Sequence, residues 1–342
     1  MLDKPAIPDD LIKSALLENY GILVKTLEFL PLGLDTLAGV YRVTSEVGPT
    51  YFLKLKLGQL YESSAFVPRF LADRSVSAVV APIPTRGNKL WFEIAGWTGL
   101  LYPFIEGISS WEPGLSETEW QATGRAVRQI HSVTLPPELA EEIRREKFQP
   151  EEYTGWMVNF EKDPANFPGK SEAERVITDC WTANRETIHK LLILMENLAA
   201  RLRDQHESLV ICHADLHPGN MIRTAQNEVF FIDWDDVMLA PKERDFIFAG
   251  LDWAGADPTA VPFFEGYGNT ALDWSFDWAA LTYYLAERVV TDLLVCTRDT
   301  FFTPNLSEEA REESARLFCS VLDEHGEVAG VFAAARWSNL AS

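Results

Sequence analysis

The spacing of apolar residues changes near residues 103–108, "PFIEGI", and this change constrains the fold more than any other feature. Before it, apolar residues form short β-rich runs separated by Gly, Pro or polar turns, which is typical of an antiparallel sheet. The runs are "ILVKTLEFL", "GVYRVTS", "TYFLKLKL", "SAVVAPI", "KLWFEIAG" and "LLYPFIEG". After it, apolar residues recur at helical spacing. We therefore predict an α+β protein with a sheet-rich part at residues 1–105 and a mainly helical part at residues 106–342.

Helix signals begin soon after the sheet-rich part ends. Ser116 followed by Glu119 forms a capping box for a helix that we expect to end near Ser132. Further periodic segments predict helices at about 172–206, 274–296 and 307–324. Two short apolar pieces, "SLVIC" and "EVFFID", interrupt the helices and are expected to flank one loop like the strands of a hairpin.

The charge of the chain restricts its partners. The chain has 30 Lys and Arg against 51 Asp and Glu, a net charge of −21, whereas nucleic acids and anionic membranes bind basic surfaces. We therefore expect neither as a partner. The acidity favours a cationic small molecule, although acidity also serves solubility alone.

Two further features bear on the cellular compartment. The four cysteines include no Cys-x-x-Cys pair, so neither a zinc site nor a disulfide framework is expected. The first 21 residues mix acids, prolines and polar residues, unlike a secretory signal, which predicts a cytoplasmic protein.

The segment at residues 211–222, "ICHADLHPGNMI", carries the chemistry. His213, Asp215 and Asn220 follow the pattern H-x-D-x-x-x-x-N, and Asp233 ends the next apolar run. A phosphoryl transferase needs one carboxylate near the acceptor hydroxyl, and an amide with a second carboxylate to hold Mg²⁺ against the nucleotide phosphates. Asp and Asn are also common in turns, which explains each residue singly but not three in register.

This pattern resembles the catalytic loop and metal-binding Asp of protein kinases. As "CHADLHPGN…FFIDWDD" it resembles the aminoglycoside phosphotransferase family in particular. The stretches "TYFLKLKLG", "YPFIEG", "GRAVRQIH" and "DDVMLAPKERDF" fall where that family has its lysine strand, interlobe hinge, first C-lobe helix and post-metal segment. The resemblance implies a two-lobed protein-kinase-like fold. Residues 1–105 would form the nucleotide-binding N-lobe, and residues 106–342 the C-lobe with the catalytic loop, metal site and substrate pocket.

The resemblance also implies residue roles. Asp215 would be the catalytic Asp, Asn220 and Asp233 the Mg²⁺ ligands, and Lys54 the lysine that pairs with the nucleotide phosphates. Glu62 would orient Lys54.

The nucleotide-binding assignments extend to the hinge and to one open alternative. The hinge residues expected at the nucleotide are Tyr102, Phe104 and Ile105. Lys54 and Lys56 lie two apart on one strand and so face the same way, which leaves Lys56 open as the phosphate-contacting lysine. The run "YFLK" favours Lys54.

Two motifs depart from the kinase pattern. The Gly-rich loop G-x-G-x-x-G is absent, because "PLGLDTLAGVYRV" keeps only Gly33 and Gly39. Between them, Asp35 and Thr36 are expected near the phosphates. The kinase D-F-G is replaced by D-W-D, whose second acid, Asp235, is expected at a metal position or facing a cationic substrate.

Other polar residues are assigned to the loop or to the substrate. His213 and His217 are expected to orient the catalytic loop rather than to take part in chemistry. A pocket for a cationic substrate would draw on the later acids Glu265, Glu287 and Asp292. The alternatives are structural: Glu287 could pair with the adjacent Arg288, and Arg244 with Asp245 could fasten the segment that follows Pro241.

These observations predict a small-molecule kinase. The cofactors are expected to be Mg²⁺ and ATP, with GTP not excluded, and the substrate a cationic aminoglycoside or aminocyclitol antibiotic, with spectinomycin as the first candidate. The alternatives are a metabolic kinase for choline, homoserine or an amino sugar, and a nucleotide-binding pseudoenzyme. Fold-level likeness does not choose among acceptors.

Overall fold

The computed structural model describes most of the chain. The described residues are 4–32, 37–111, 113–163, 169–203, 209–249, 261–268, 277–304 and 306–337. They divide into two compact units. Unit 1 comprises Met1–Arg144, Ile211–Leu239 and Gly266–Gly268, and unit 2 comprises Arg145–Val210, Ala240–Glu265 and Asn269–Ser342. Within the described ranges, no helix is both long and apolar enough to span a bilayer.

Unit 1 is built on a five-stranded antiparallel sheet with the order β1-β2-β3-β5-β4. Its strands are β1 (Val24–Leu30), β2 (Ala38–Ser45), β3 (Thr50–Leu57), β4 (Phe92–Ile94) and β5 (Trp97–Pro103). Side chains alternate between the two faces of a strand. On β3, Leu53 and Leu55 are fully buried, and Lys54 and Lys56 lie on the other face, opposite Leu100 and Thr98 of β5. This alternation places both lysines on the same side of the sheet.

Helices of unit 1 cover the sheet and follow it. They are α1 (Asp9–Tyr20), α2 (Ser63–Ala72), α3 (Glu117–His131) and α4 (Pro137–Glu142). Ile12 and Leu16 of α1 join the core that contains Leu53 and Leu55. The helix α3 begins at the predicted capping box, in which the Ser116 hydroxyl accepts from the backbone of Glu119 and the Glu119 carboxylate accepts from the backbone of Ser116.

The segment around the catalytic motif forms short strands. They are β6 (Gly107–Ser109), β7 (Val210–Cys212), β8 (Met221–Thr224), β9 (Val229–Phe231) and β10 (Met238–Ala240). β6, β8 and β9 form a three-stranded sheet, and β7 and β10 a two-stranded one. The two predicted apolar pieces are strands, but they do not form one hairpin. β9 pairs instead with β8, because a turn containing Asn227, with φ +61°, brings the chain back directly onto β8.

Unit 2 is mainly helical within its described residues. Its helices are α5 (Glu151–Lys162), α6 (Glu172–Ala183), α7 (Arg185–Arg203), α9 (Trp278–Phe301), α10 (Glu308–Leu322) and α11 (Glu327–Trp337), and the residues of α8 (Pro262–Tyr267) are divided between the two units. α9 packs against α7, α10 and α11. The predicted helix at 172–206 is two helices, because Asn184 leaves the helical conformation between them. The lobe boundary predicted near residue 105 stays a prediction.

Candidate active site

Two lysines of β3 meet two carboxylates that follow β9. Nζ of Lys54 lies 2.8 Å from Oδ1 of Asp233 and 2.9 Å from Oδ2 of Asp235, and Nζ of Lys56 lies 2.7 Å from the same Asp235 oxygen. Among the described residues, only Lys54 reaches Asp233. Lys54 and Asp233 are 179 positions apart in the sequence. Their contact favours Lys54 over Lys56 as the lysine that pairs with the nucleotide phosphates.

The charges of this cluster support one another. Burial by itself would lower the pKa of Lys54, but the carboxylates of Asp233 and Asp235 outweigh it and raise the pKa above its ordinary value. Burial would raise the pKa of Asp235, whereas Lys54 and Lys56 hold that pKa below its ordinary value. Lys54 is therefore held as a cation, which suits a group that binds phosphate.

The catalytic loop, residues 213–220, is fixed at its start by His213. This imidazole is buried, packs against Trp234, and its Nε2 lies 2.9 Å from the carbonyl oxygen of Ile232. Its Nδ1 accepts a hydrogen bond of 3.4 Å from the backbone N–H of Asp215. Between them Ala214 has φ +71°, a conformation that costs energy for a residue with a Cβ. The contacts of His213 fit the predicted orienting role.

Asn220 ties the end of the loop back to Asp215. Its Nδ2 donates to the Asp215 carbonyl oxygen at 2.8 Å and to Asp215 Oδ2 at 3.2 Å. The backbone N–H of Ile232 donates to the Asn220 carbonyl oxygen at 3.0 Å, so Asp233 directly follows a residue bound to Asn220. Pro218 and Gly219 form the 3-10 turn that makes this return possible.

The oxygen donors of the loop fit a divalent cation. Within the described ranges, no hydrogen bond or ion pair engages Oδ1 of Asn220 or Oδ2 of Asp233. Amide and carboxylate oxygens are the ligands that Mg²⁺ prefers, with its remaining positions taken by water and phosphate. Asp233 has φ +60° and a side chain that is 44% exposed, so it presents its carboxylate to solvent.

His217 connects the loop to the side chain of Trp111, which belongs to no recognised motif of the sequence. Its Nδ1 accepts from the backbone N–H of Gly219 at 3.0 Å, and its Nε2 lies 3.5 Å from Oδ2 of Asp215. The indole of Trp111 stacks on the imidazole, with ring centroids 5.6 Å apart. Trp111 lies in the irregular run "SSWEPG", which contains no motif that could have indicated the contact.

The predicted hinge residues lie at and after the end of β5. Tyr102 is half-buried opposite Phe52, and burial raises the pKa of its phenol. The backbone N–H of Phe104 donates to Thr50 at 3.3 Å, and the Arg42 guanidinium lies over the Phe104 ring. Ile105 is partly buried. Their contact with nucleotide stays a prediction.

Three other nucleotide assignments fare differently. Glu62 is exposed at the start of α2, and within the described part of the chain it forms no ion pair with Lys54. The partners of Lys54 are the two aspartates, whose approach to Lys54 depends on how the loop after β9 packs beside the sheet. Asp35 and Thr36 lie outside the described residues.

The acids assigned to the substrate have structural contacts in their own parts of the chain. Glu287 pairs with Arg244 and accepts a hydrogen bond from the Tyr283 hydroxyl. Asp292 pairs with Arg288 one helical turn before it. Glu265 is exposed on α8. Their substrate roles stay predictions.

Comparisons with known proteins identify the family of the chain. A model of the phosphotransferase enzyme family matches residues 28–284. Protein StrN of Streptomyces griseus is 25% identical over 237 residues, which cover 64% of this chain and 68% of StrN.

Solved structures extend the likeness to the whole chain. A spectinomycin phosphotransferase in complex with ADP and spectinomycin is 29% identical, with a TM-score of 0.85 over 97% of this chain and 99% of that one. A microcompartment-associated aminopropanol kinase, 16% identical, shares the fold with a TM-score of 0.61 over 97% of this chain and 99% of its own. The predicted protein-kinase-like fold is confirmed. The chain therefore belongs to the phosphotransferase enzyme family, the aminoglycoside phosphotransferase type predicted from its sequence, and is a small-molecule phosphotransferase that acts on hydroxyl groups.

Proposed function

We propose that this protein transfers the γ-phosphoryl group of Mg-ATP to a hydroxyl of a cationic aminocyclitol, with spectinomycin as the first candidate. The observation that carries the proposal is the 29% identity, over nearly the full length of both chains, to a phosphotransferase bound to ADP and spectinomycin. The net charge of −21 supports it, because a negative protein attracts a cationic substrate.

The residues of the loop divide the work of the reaction. Asp215 orients the acceptor hydroxyl toward the γ-phosphorus and accepts its proton late, since the transition state of phosphoryl transfer is loose. The bonds from Asn220 to the Asp215 carbonyl and carboxylate fix that orientation. Positioning of this kind supplies a large part of the acceleration in phosphoryl transfer.

Lys54, Asn220 and Asp233 are assigned to the Mg-nucleotide. Asn220 Oδ1 and the Asp233 carboxylate would hold Mg²⁺, which neutralises the charge that develops on the phosphate oxygens. Lys54, fixed between Asp233 and Asp235, would present its ammonium group to the phosphates.

Two variants separate these roles, with Asp73→Asn, a change of an exposed side chain directly after α2, as the matched control. Asp215→Ala should lower kcat by about 10²- to 10⁴-fold while the Kd of Mg-ADP stays near that of the wild type. Asp233→Ala should raise the Kd of Mg-ADP, because a metal ligand is lost. Near-normal turnover of either variant in a coupled ADP-release assay would contradict the assignment.

The substrate is tested by screening ADP release and analysing the products by mass spectrometry. Mg-ATP and Mg-GTP are each combined with spectinomycin, other aminoglycosides, choline, homoserine and amino sugars. Spectinomycin that gains one phosphate with the highest kcat/KM of the panel would support the proposal. A far higher kcat/KM for choline, homoserine or an amino sugar would favour a metabolic kinase, and nucleotide binding without any phosphorylated product would favour a pseudoenzyme.

A further inference from the structure

Trp111 stands out because a large aromatic side chain is exposed beside the catalytic loop. Its relative exposure is 58%, whereas tryptophan is on average a highly buried residue. One face of the indole stacks on the His217 imidazole at an interplanar angle of 24°. The stack leaves the greater part of the Trp111 side chain open to solvent.

The backbone fixes Trp111 in this place. The preceding residue, Ser110, is buried, and its backbone N–H donates to the Pro218 carbonyl oxygen at 3.1 Å. The Ser110 hydroxyl donates to the Met221 carbonyl oxygen at 2.9 Å. Pro218 belongs to the turn that ends the catalytic loop and Met221 begins the strand after it, so these bonds hold the segment of Trp111 against the loop.

The indole of Trp111 also lies close to the loop at Gly219. A Cβ atom at Gly219 would come within 2.7 Å of the Trp111 indole nitrogen and within 2.5 Å of the His217 ring. Glycine at this position therefore allows the two rings to approach the loop backbone. An aromatic side chain placed only to fill space would not need to remain exposed over such a close contact.

His217 links this exposed ring to the reacting centre. Its Nε2 lies 3.5 Å from the Asp215 carboxylate, and its ring lies 5.6 Å from the indole, centroid to centroid. These separations are short enough for one acceptor with two or three rings to contact both Asp215 and Trp111. Aromatic faces attract ammonium groups through their quadrupole.

We propose that the stacked Trp111–His217 pair is one wall of the acceptor-binding site, in which the exposed part of the indole contacts the ammonium-bearing ring of a polyhydroxylated cation. This inference rests on the proposed function, because it takes Asp215 as the residue that meets the acceptor hydroxyl. It makes Trp111 a specificity residue, since a neutral or purely anionic acceptor would gain less from the aromatic face.

The test compares two Trp111 variants with a matched control. Trp111→Ala removes the ring and Trp111→Phe keeps a smaller one. Ile108→Ala is the control, because Ile108 is also an exposed apolar residue of unit 1, at 52%, on the neighbouring strand β6. Isothermal titration gives the Kd of spectinomycin in the presence of Mg-ADP, and in a separate experiment the Kd of Mg-ADP itself.

We expect Trp111→Ala to raise the Kd of spectinomycin by about threefold to thirtyfold, and Trp111→Phe by less. Ile108→Ala should leave both Kd values unchanged, and neither Trp111 variant should raise the Kd of Mg-ADP. The chain has 11 tryptophans. If Trp111 contacts the acceptor, the change in tryptophan fluorescence on adding spectinomycin should be reduced or lost in Trp111→Phe.

A second variant separates the wall from simple support of the loop. His217→Asn keeps a side-chain acceptor for the Gly219 N–H, as asparagine caps helical turns well, but removes the ring beneath Trp111. It should raise the acceptor Kd as well. The double variant Trp111→Ala with His217→Asn should lose less binding free energy for the acceptor than the sum of the two single variants. A structural role alone would lower kcat and thermal stability without moving the acceptor Kd.

The outcomes distinguish this inference from the proposed function. Two results would contradict the assignment of Trp111 to the acceptor-binding site: an equal change in the Kd of spectinomycin for Trp111→Ala and Ile108→Ala, or a higher Kd of Mg-ADP in place of a higher Kd of the acceptor. The proposed function would stand in either case if the wild type phosphorylates spectinomycin. If the wild type phosphorylates another cationic acceptor of the panel, the same titrations with that acceptor apply. A wild type that phosphorylates none of them overturns the proposed function, and the wall falls with it.

Discussion

Replacing Asp235 with asparagine removes the carboxylate that two lysines share. Oδ2 of Asp235 lies 2.9 Å from Nζ of Lys54 and 2.7 Å from Nζ of Lys56. After the replacement Lys54 keeps Asp233, whereas Lys56 has no other ion-pair partner among the residues the structure describes. Asp235→Asn therefore leaves one partly buried ammonium group without its counter-charge.

The burial of the three side chains determines the expected size of the effect. Asp235 is 30% exposed, Lys56 22% and Lys54 12%. Leaving one member of a fully buried ion pair without its partner costs about 3–5 kcal/mol, whereas a solvent-exposed pair contributes about 0–1 kcal/mol. Because this cluster lies between those limits, we expect the free energy of unfolding to fall by about 1–3 kcal/mol.

Urea denaturation of the nucleotide-free protein measures this change. Asp73→Asn is the matched control, because Asp73 belongs to the same unit, its side chain is 60% exposed, and losing its pair with Arg69 four residues earlier should cost about 0.3–0.5 kcal/mol. The double variant Asp235→Asn with Lys56→Met should cost less than the sum of the single variants. If Asp235→Asn destabilises no more than Asp73→Asn, the shared carboxylate contributes nothing and the reasoning is refuted.

Two further predictions concern other parts of the chain. Glu161 is 12% exposed and lies 2.5 Å from both Arg185 and His189; burial would raise its pKa, but these partners hold the pKa below the ordinary value. The stabilisation by Glu161 is therefore present above the unfolded pKa of about 4.3 and is lost as the pH falls through the lower folded pKa. The difference in urea midpoint between the wild type and Glu161→Gln should therefore shrink below about pH 4. A difference that grows on acidification would contradict this sign. Gly219→Ala should push the His217 ring and Trp111 off the loop and lower kcat, with a loss of about 1–3 kcal/mol in unfolding free energy. Wild-type kinetics for that variant would show that the close ring packing does not matter.

The fold was predictable where the pattern was local. Strand alternation predicted the sheet that contains Lys54, and the capping box at Ser116 predicted the start of α3, because both depend on side chains within a few residues of one another. The break at Asn184 was missed, since one residue leaving the helix does not disturb the apolar period on either side. The sequence did not indicate the strand β8, because its place in a sheet depends on pairing with β6 and β9 rather than on a pattern of its own.

In the candidate site, too, local contacts were predictable from the sequence and long-range contacts were not. His213, Asp215 and Asn220 lie within eight residues, and the loop that joins them fixes their contacts locally, so the sequence by itself determined that they would lie close together. It could not determine which lysine would meet Asp233, nor that Asp235 rather than Glu62 would be paired with Lys54, because these contacts join a strand and a loop 179 and 181 residues apart.

Trp111 is the clearest example of a contact that the sequence could not predict. Nothing in the sequence near it indicates a partner, and its stacking on His217 arises because the backbone of Ser110 binds the turn that ends the catalytic loop. The sequence by itself determined which polar groups meet within the loop, because their own chain holds His213, Asp215 and Asn220 close together. The tertiary structure alone decided which distant charge and which aromatic surface stand beside them, because long-range packing depends on the shape of both partners and leaves no periodic pattern in either.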